Sequence, residues 1–340
     1  MSGRITVLSA GPAMSVQDMG RSGYLAYGLT RGGAADPLAL HEGAALLGQP
    51  ATLAAVEMVG MGGTFQSDVD TVIALTGARM TATMDGTPLI WDASHPWPAG
   101  AKLTIGGATA GTYGYLHVAG GIDTEPAMGA RAVHLNAGIG GLLQAGDELP
   151  IDATSGAGGD FLTPAAPRLS GGELRVVASI QTDNFSPETR ARFESTSFTR
   201  DARGNRQGVR MANEGEGFFA KGGLSIVSEV ISEGDIQITG DGAPYVLMCE
   251  CQTTGGYPRI GTVIPSDLPR VAQASVGAPL TFCFVTLDEA RAIELRARAD
   301  IKSLRGRVQP LVRDPHDIAD LLSYQLVGGV VSATADPFAA

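Results

Sequence analysis

Apolar and polar positions alternate in short runs through most of the chain, which is the pattern of β-strands with one buried face. Residues 4–9 form the first such run, and further runs follow between residues 52 and 150. Asp85-Gly86 and Pro98-Ala99-Gly100 separate some of them and predict tight turns. This regular spacing predicts a sandwich or a barrel.

Three segments carry helix signals instead. Asp36 can cap a helix over residues 36–48, with Pro37 at its first position and Gly48 at its end. A second capped helix is predicted at 186–194, and a long polar helix at about 287–305. The chain is therefore expected to be mainly β with a few helices.

A stretch rich in Gly, Ala, Ser and Pro at 152–172 interrupts the strand pattern, which resumes at 174–180. We therefore predict four parts. They are an N-terminal β-barrel-like domain (1–155), a linker (156–172), a C-terminal β-barrel domain (173–286) and a C-terminal helical extension (287–340).

The composition of the chain limits the classes of partner that it is expected to bind. A net charge of −11 argues against nucleic acid, although a local arginine pocket can still hold a small anion. No apolar run reaches the roughly 18 residues that span a bilayer, so no membrane partner is expected. Three cysteines, an odd and low number, favour a reducing compartment, and the N-terminus resembles a strand rather than a signal peptide. The expected location is the cytoplasm.

Common catalytic motifs are absent from the sequence. It contains no phosphate-binding loop, dinucleotide fingerprint, nucleophile elbow or H-E-x-x-H metal motif. The remaining polar constellations are therefore the candidates for a site.

Two of these constellations centre on arginine. Asp18 and Arg21 flank a glycine in the segment 15–24, where they either staple the loop or place an anion-binding guanidinium at a cleft. Arg203, Arg206 and Arg210 crowd one short segment, which forms either a solvated face or an anion site.

The third constellation, residues 251–273, is the most distinctive. Gln252, Thr253 and Thr254 offer donors and acceptors without charge, and Gly255 and Gly256 leave backbone N–H groups uncovered before Tyr257. Such a set suits an amide- or ureido-like ligand. Residues 266–270 add a capped helical turn whose free N–H groups offer a place for an anion.

Several ordered blocks together resemble the biotin-dependent carboxyltransferase family. This family includes the C-type component of 5-oxoprolinase, allophanate hydrolase subunit 2-like proteins and half of urea carboxylase. The blocks are VQDMGRSGY (16–24), GGAADPLAL (32–40), HVAGGIDTEPAMGARA (117–132) and CQTTGGYPRIGTVIPSDLPRVAQ (251–273). The resemblance extends over roughly residues 5–285.

The resemblance implies two cyclophilin-like β-barrel domains. It also implies an ATP-dependent 5-oxoprolinase built with two partners, a smaller B-type 5-oxoprolinase component and a lactamase-like A-type component, with ATP and Mg bound at the level of the complex. In that reaction the lactam oxygen is phosphorylated before water opens the ring. The alternatives are a carboxyltransferase that moves a carboxyl group from carboxybiotin to urea, and a non-catalytic regulatory subunit of a kinase-inhibitor complex.

The resemblance also suggests roles for residues. Candidate bases are Asp18, Asp123 and Glu229. The candidate substrate-binding residues are Arg21, Arg206, Arg210, Gln252, Thr253, Thr254, Gly255, Gly256 and Tyr257. The chain has no biotin-carrier motif, so any biotin is expected to arrive on another protein. Gly204-Asn205 before Arg206 and Glu250 before Cys251 depart from the family pattern and leave the substrate open.

Overall fold

A computed structural model describes residues 2–312, except residues 153–157, 165, 222, 224 and 225. Four α-helices are described, namely α1 Pro37–Leu47, α2 Pro187–Ser195, α3 Leu268–Gln273 and α4 Leu287–Ser303. Short 3₁₀ helices are described at Leu25–Tyr27, Leu135–Ala137, Thr182–Asn184, Pro265–Asp267 and Leu304–Arg307. None of the helices within the described residues is long and apolar enough to span a membrane.

Strands dominate both halves of the described chain. In the first half they are β1 Ser2–Ser9, β2 Met14–Gln17, β3 Ala55–Val59, β4 Thr64–Ser67, β5 Thr71–Met84, β6 Thr87–Pro88, β7 Ala93–Trp97, β8 Lys102–Val118, β9 Glu148–Asp152 and β10 Asp160–Phe161. Later strands are β11 Gly172–Val177, β12 Phe198–Arg200, β13 Gly208–Ala212, β14 Glu229–Val230, β15 Asp235–Ile238, β16 Pro244–Leu247, β17 Thr254–Gly255, β18 Arg259–Val263, β19 Pro279–Phe284 and β20 Gln309–Pro310. The prediction of a mainly β protein with a few helices is confirmed.

The first half, together with β20 near the end of the described chain, forms one sheet around two long antiparallel strands, β5 and β8. Among the described residues the sheet has 11 strands, with the main path β20-β10-β7-β5-β8-β4-β1-β9. The sequence pattern divides β5 into two runs, but the strand continues through Gly77, which has a φ of 80°. The pairing with β8 shifts register there, so a bulge rather than a turn accounts for the break in the pattern.

The second half forms a closed barrel, as predicted. Seven described strands follow the order β11-β18-β15-β16-β13-β12-β19, and β11 closes the ring by pairing in parallel with β19. Buried aromatic rings fill its interior, where Phe193 of α2 stacks on Phe282 with ring centres 4.6 Å apart. Such stacking adds to the stabilisation from area burial alone.

The predicted helix at 36–48 is confirmed with its caps. The Asp36 carboxylate accepts from the Leu38 and Ala39 N–H groups at 3.1 and 3.3 Å, and Gly48 ends α1 with a φ of 65°. Helix α1 lies against the sheet at Gly43, where an added Cβ would come within 2.3 Å of the His117 ring. The helix can approach the sheet this closely because glycine has no side chain.

The turn at 266–270 is helical but lacks the predicted side-chain cap, and its role as an anion site stays a prediction. The Ser266 N–H donates to Glu294 of α4 at 2.8 Å, and Asp267 makes no side-chain cap. Instead the Asp267 carboxylate accepts from the guanidinium of Arg175 at 2.8 and 2.5 Å. The backbone N–H of Ser266 is therefore satisfied by the protein itself.

The domain boundaries remain predictions, because residues 153–157, 165 and 313–340 lie outside the described residues. The polar helix at 287–305 is confirmed as α4. It begins with a capping box between Thr286 and Glu289.

Candidate functional site

A buried ionic cluster joins the two halves of the chain. The Arg206 guanidinium donates to Glu57 of β3, to Glu250 at 2.6 Å and to the Gly33 carbonyl at 2.6 Å. The side chains of Arg206, Glu57 and Glu250 are 8%, 1% and 2% exposed. Breaking a buried pair costs several kcal/mol, so this cluster holds the loops around it in fixed positions.

Glu57 is supported from the first half. It accepts from the Tyr115 hydroxyl at 2.7 Å and from the Ala35 N–H at 2.8 Å. Burial, together with the charges of Glu57 and Asp36, raises the pKa of Tyr115 well above its usual value. Tyr115 is therefore a neutral donor, and it fixes the carboxylate that faces Arg206.

Glu250 is supported by the loop at residues 134–137. Its Oε2 accepts from the Asn136 N–H at 3.1 Å and lies 3.8 Å from Nδ1 of His134. Burial lowers the pKa of His134, although Glu250 opposes that effect. His134 is therefore held neutral beside the carboxylate.

The hydrogen bonds around His134 define its tautomer. Nδ1 accepts from the Ala137 N–H at 3.2 Å, and Nε2 lies 3.1 Å from the Thr30 hydroxyl. Thr30 itself donates to the Cys251 carbonyl at 3.0 Å. The Thr30 oxygen must then accept from Nε2, so Nε2 carries the proton.

A cavity of about 240 Å³ opens beside this cluster, and we call it the smaller cavity. The residues that line it are Arg21, Ser22, Gly23, Tyr24, Leu25, Leu29, Thr30, Arg31, Ser232, Glu233 and Cys249. It therefore combines a loop of the first half with two loops of the second barrel.

Arg21 is the sequence-predicted residue that lies in this cavity. It is 3% exposed and donates to the carbonyls of Ala132 and, at 3.4 Å, Ala127. Its Nη1 is buried without a hydrogen-bond partner among the described residues. Burial lowers the pKa of Arg21, and the negative charges of Asp18 and Glu250 partly oppose this effect. An anion in the smaller cavity would complete its hydrogen bonding.

Asp18 serves the loop itself. One carboxylate oxygen accepts from the Gly20 N–H at 2.8 Å and the other from the Arg131 N–H at 2.6 Å. Asp123 pairs with the Arg131 guanidinium at the surface, where its side chain is 59% exposed. These contacts staple the loops at residues 18–21 and 123–131 together, and the roles of both aspartates as bases remain predictions.

The turn at 252–257 lies at the surface of the second barrel. Gln252, Thr254 and Tyr257 are exposed, and Thr253, Gly255 and Gly256 are half-buried. Strand β17 pairs with β14, so Glu229 lies opposite Gly255. Glu229 accepts from Gln181 at 2.6 Å and from Arg259 at 2.8 Å. The predicted binding role of the turn stays a prediction, as does the role of Glu229 as a base.

The segment before this turn is anchored in the site. The Cys249 carbonyl accepts from the Gly32 N–H at 3.0 Å, and the Cys251 carbonyl accepts from Thr30. Glu250 lies between these two anchored residues in the sequence. The turn is thus an extension of the loop that carries Glu250.

The three crowded arginines separate in the structure. Arg203 and Arg210 share Asp201, and Arg210 also pairs with Asp241 at 2.9 Å. Arg206 points instead into the buried cluster, where carboxylates and a carbonyl accept its hydrogen bonds. The three residues therefore do not converge on one anion site, and the binding roles of Arg206 and Arg210 remain predictions.

A larger cavity of about 670 Å³ lies beyond the Arg31–Glu233 ion pair, which lines both cavities. Its walls come from α1, from the 3₁₀ helix Pro265–Asp267 with the start of α3, and from α4. Arg21, the sequence-predicted residue of the smaller cavity, does not line the larger one.

Sequence reasoning misses Glu57, Tyr115, Thr30 and His134. Their partners are far away in the sequence, for example 149 residues for Glu57 and Arg206. Glu250 stands out in the sequence only as a departure from a family pattern. No local sequence signal identifies such residues, because each acquires its contacts only when distant parts of the chain fold together.

The chain is similar in sequence to known proteins. The family model described as carboxyltransferase domain, subdomain A and B, matches residues 27–284. The C-type component of the 5-oxoprolinase of Escherichia coli is 33% identical over 305 residues, covering 87% of this chain and 94% of the relative.

Larger proteins match over part of their length. The urea amidolyase of Saccharomyces cerevisiae is 27% identical over 327 residues, which cover 89% of this chain and 18% of the relative. The crystal structure of the urea amidolyase of K. lactis superposes with a TM-score of 0.79 at 23% identity, over 92% of this chain and 21% of the larger one. That superposition supports the fold.

Proposed function

The chain belongs to the family of carboxyltransferase domains with subdomains A and B, and we propose from this membership that it is the C-type component of an ATP-dependent 5-oxoprolinase. The observation that carries the proposal is the match to the C-type component of a 5-oxoprolinase over nearly the whole length of both chains. The urea amidolyase match covers only a small part of that protein.

The smaller cavity is the substrate site in this proposal. The carboxylate of 5-oxoproline would accept from Nη1 of Arg21, the buried donor that has no partner among the described residues. The lactam N–H and C=O groups would meet polar groups that line the same cavity, such as Ser22 and Ser232, because no residue of the turn 252–257 lines it. Arg206 would not bind the substrate directly, because its contacts with Glu57 and Glu250 position the surrounding loops.

ATP, with Mg, is assigned to the assembled complex. In the described part of the chain, no group of three or more His, Cys, Asp or Glu side chains is placed to hold a metal ion. The carboxylate of Asp18 already accepts from two backbone N–H groups. In this proposal a B-type partner and a lactamase-like A-type partner complete the enzyme.

The test is reconstitution of the three proteins. We expect glutamate to form from 5-oxoproline only when the three chains and ATP are present. No glutamate from a complete, co-purified complex would reject the proposal.

The role of Arg21 is tested in the same assay. Arg21→Lys keeps the charge but loses the planar donor set, so we expect a raised KM for 5-oxoproline with a smaller change in kcat. Arg203→Lys, at an exposed position outside the cavity, is the matched control. An unchanged KM in Arg21→Lys would remove this residue from the site.

A carboxyltransferase role is the second candidate, favoured by the similarity to urea amidolyase along most of this chain. In that case the biotin would be carried by another protein. Urea-dependent consumption of carboxybiotin, without glutamate release from 5-oxoproline, would favour this candidate.

A further inference from the structure

The larger cavity lies beneath helix α4, and this helix follows the region that matches the family model. Ile293, Ala297 and Ile301 lie on one face of α4 and line the cavity. The opposite wall includes Leu38 of α1 and Leu268 of α3. The matched region ends at residue 284, and α4 begins at Leu287.

The size and lining of this cavity are those of a small-molecule site. Its volume of about 670 Å³ falls within the range of roughly 300–1,000 Å³ that is typical of ligand pockets. Much of its lining is aliphatic, and removal of an apolar ligand from water would drive binding.

The charged groups of the larger cavity do not balance one another. Arg31 pairs with Glu233, and Arg175 pairs with Asp267. Three further lining arginines, Arg270, Arg296 and Arg298, have no carboxylate partner among the residues the structure describes. The lining acids outside the two ion pairs are Glu294, which accepts from the Ser266 N–H, and Asp300.

Two buried donors also lack partners. The Ser266 hydroxyl and Nε of Arg270 are buried without a hydrogen-bond partner in the described part of the chain. Both residues line the larger cavity. A buried donor is stabilised when an acceptor meets it, and a carboxylate is the acceptor that also matches the arginines.

We propose that the larger cavity is a second ligand site, which takes an amphipathic carboxylate: an aliphatic body lies against α4, and the anionic end meets Ser266, Arg270 and the arginines of α4. The Arg31–Glu233 pair separates this ligand from the smaller cavity. The site is distinct from the proposed 5-oxoproline site and does not depend on the proposed function.

The test uses sodium decanoate as the probe and isothermal titration calorimetry on the full chain. We expect saturable binding of one decanoate per chain. Octanoate should bind roughly tenfold more weakly, because each methylene contributes to burial. Decylammonium should bind far more weakly than decanoate. Absence of saturable binding, or equal binding of decanoate and decylammonium, would overturn the proposal.

Matched variants locate the binding in the cavity. Ala297→Trp fills the space beneath α4 and should weaken decanoate binding about tenfold or more. Ala299→Trp, on the exposed face of the same helix, should leave the affinity unchanged. Decanoate binding that survives Ala297→Trp unchanged would place the ligand elsewhere and refute the site.

A second pair of variants tests the anionic end. Arg298→Gln removes a lining arginine without an ion-pair partner in the described residues, and should weaken decanoate about threefold. Arg291→Gln removes an exposed arginine of α4 that does not line the cavity. Equal affinities of the two variants would contradict the assignment of the carboxylate.

Discussion

Replacement of Arg206 by methionine tests whether the buried cluster joins the two halves. The substitution keeps much of the side-chain volume but removes the charge that faces Glu57 and Glu250. Both carboxylates are almost fully buried, with side chains 1% and 2% exposed. They would keep hydrogen bonds from Tyr115, Ala35 and Asn136, but no cation.

The expected loss in the free energy of unfolding is about 4 kcal/mol, within the range for one partner removed from a buried ion pair. Arg203→Met is the matched control, because its side chain is 64% exposed and its loss should fall within the error of the measurement. The triple variant Arg206→Met, Glu57→Gln, Glu250→Gln should regain a large part of the loss, because no buried charge is left without a partner.

Urea titration measures these differences with two probes. Both tryptophans, Trp91 and Trp97, lie in the first half, so their fluorescence reports that half. Far-UV circular dichroism reports the whole chain. Equal midpoints for Arg206→Met and Arg203→Met, or no recovery in the triple variant, would refute the view that Arg206 neutralises two buried carboxylates.

Three further predictions concern single positions. Burial raises the pKa of Asp92 from 3.8 to about 6. The native state therefore gains stability from proton binding at low pH and loses it as the pH rises through about 6. In urea unfolding, Asp92→Asn should be more stable than the parent protein at pH 8 by up to about 3 kcal/mol and nearly unchanged at pH 4. Gly43→Ala should lower the free energy of unfolding by about 1–3 kcal/mol, although alanine favours helices, because its Cβ would overlap the buried His117 ring; an increase in stability would contradict this packing. Cys283 should react with a thiol reagent in the native protein, whereas Cys249, whose pKa burial raises to about 12, should react only in urea.

Local signals in the sequence are sufficient for several elements. Asp36, Pro37 and Gly48 define helix α1, because capping depends on neighbours within a few residues. The bulge at Gly77 escapes sequence reasoning, because a register shift depends on the partner strand. The closed barrel is expected from strand spacing and from the family resemblance.

The candidate site depends on long-range contacts, and local pattern reveals only part of it. Arg21 is identified from its loop, and it does line the smaller cavity. Arg206 groups with Arg203 and Arg210 in the sequence because they are close along the chain. The fold separates them, since the partners of Arg206 in the first half are 149 and 173 residues away. Proximity in the sequence therefore predicts that the arginines are near one another along the chain, but not which way each side chain points.

The hydrogen-bond donors around the smaller cavity favour an anionic ligand over a neutral one. The proton on Nε2 of His134 bonds to Thr30, and the Thr30 proton bonds to the Cys251 carbonyl, so these donors are already used. Nη1 of Arg21 is left as a buried donor without a partner in the described residues. A carboxylate supplies both the charge and the lone pairs that this nitrogen lacks, whereas urea supplies only a neutral carbonyl acceptor. On these grounds the polarity of the cavity agrees better with 5-oxoproline, which carries a carboxylate, than with urea.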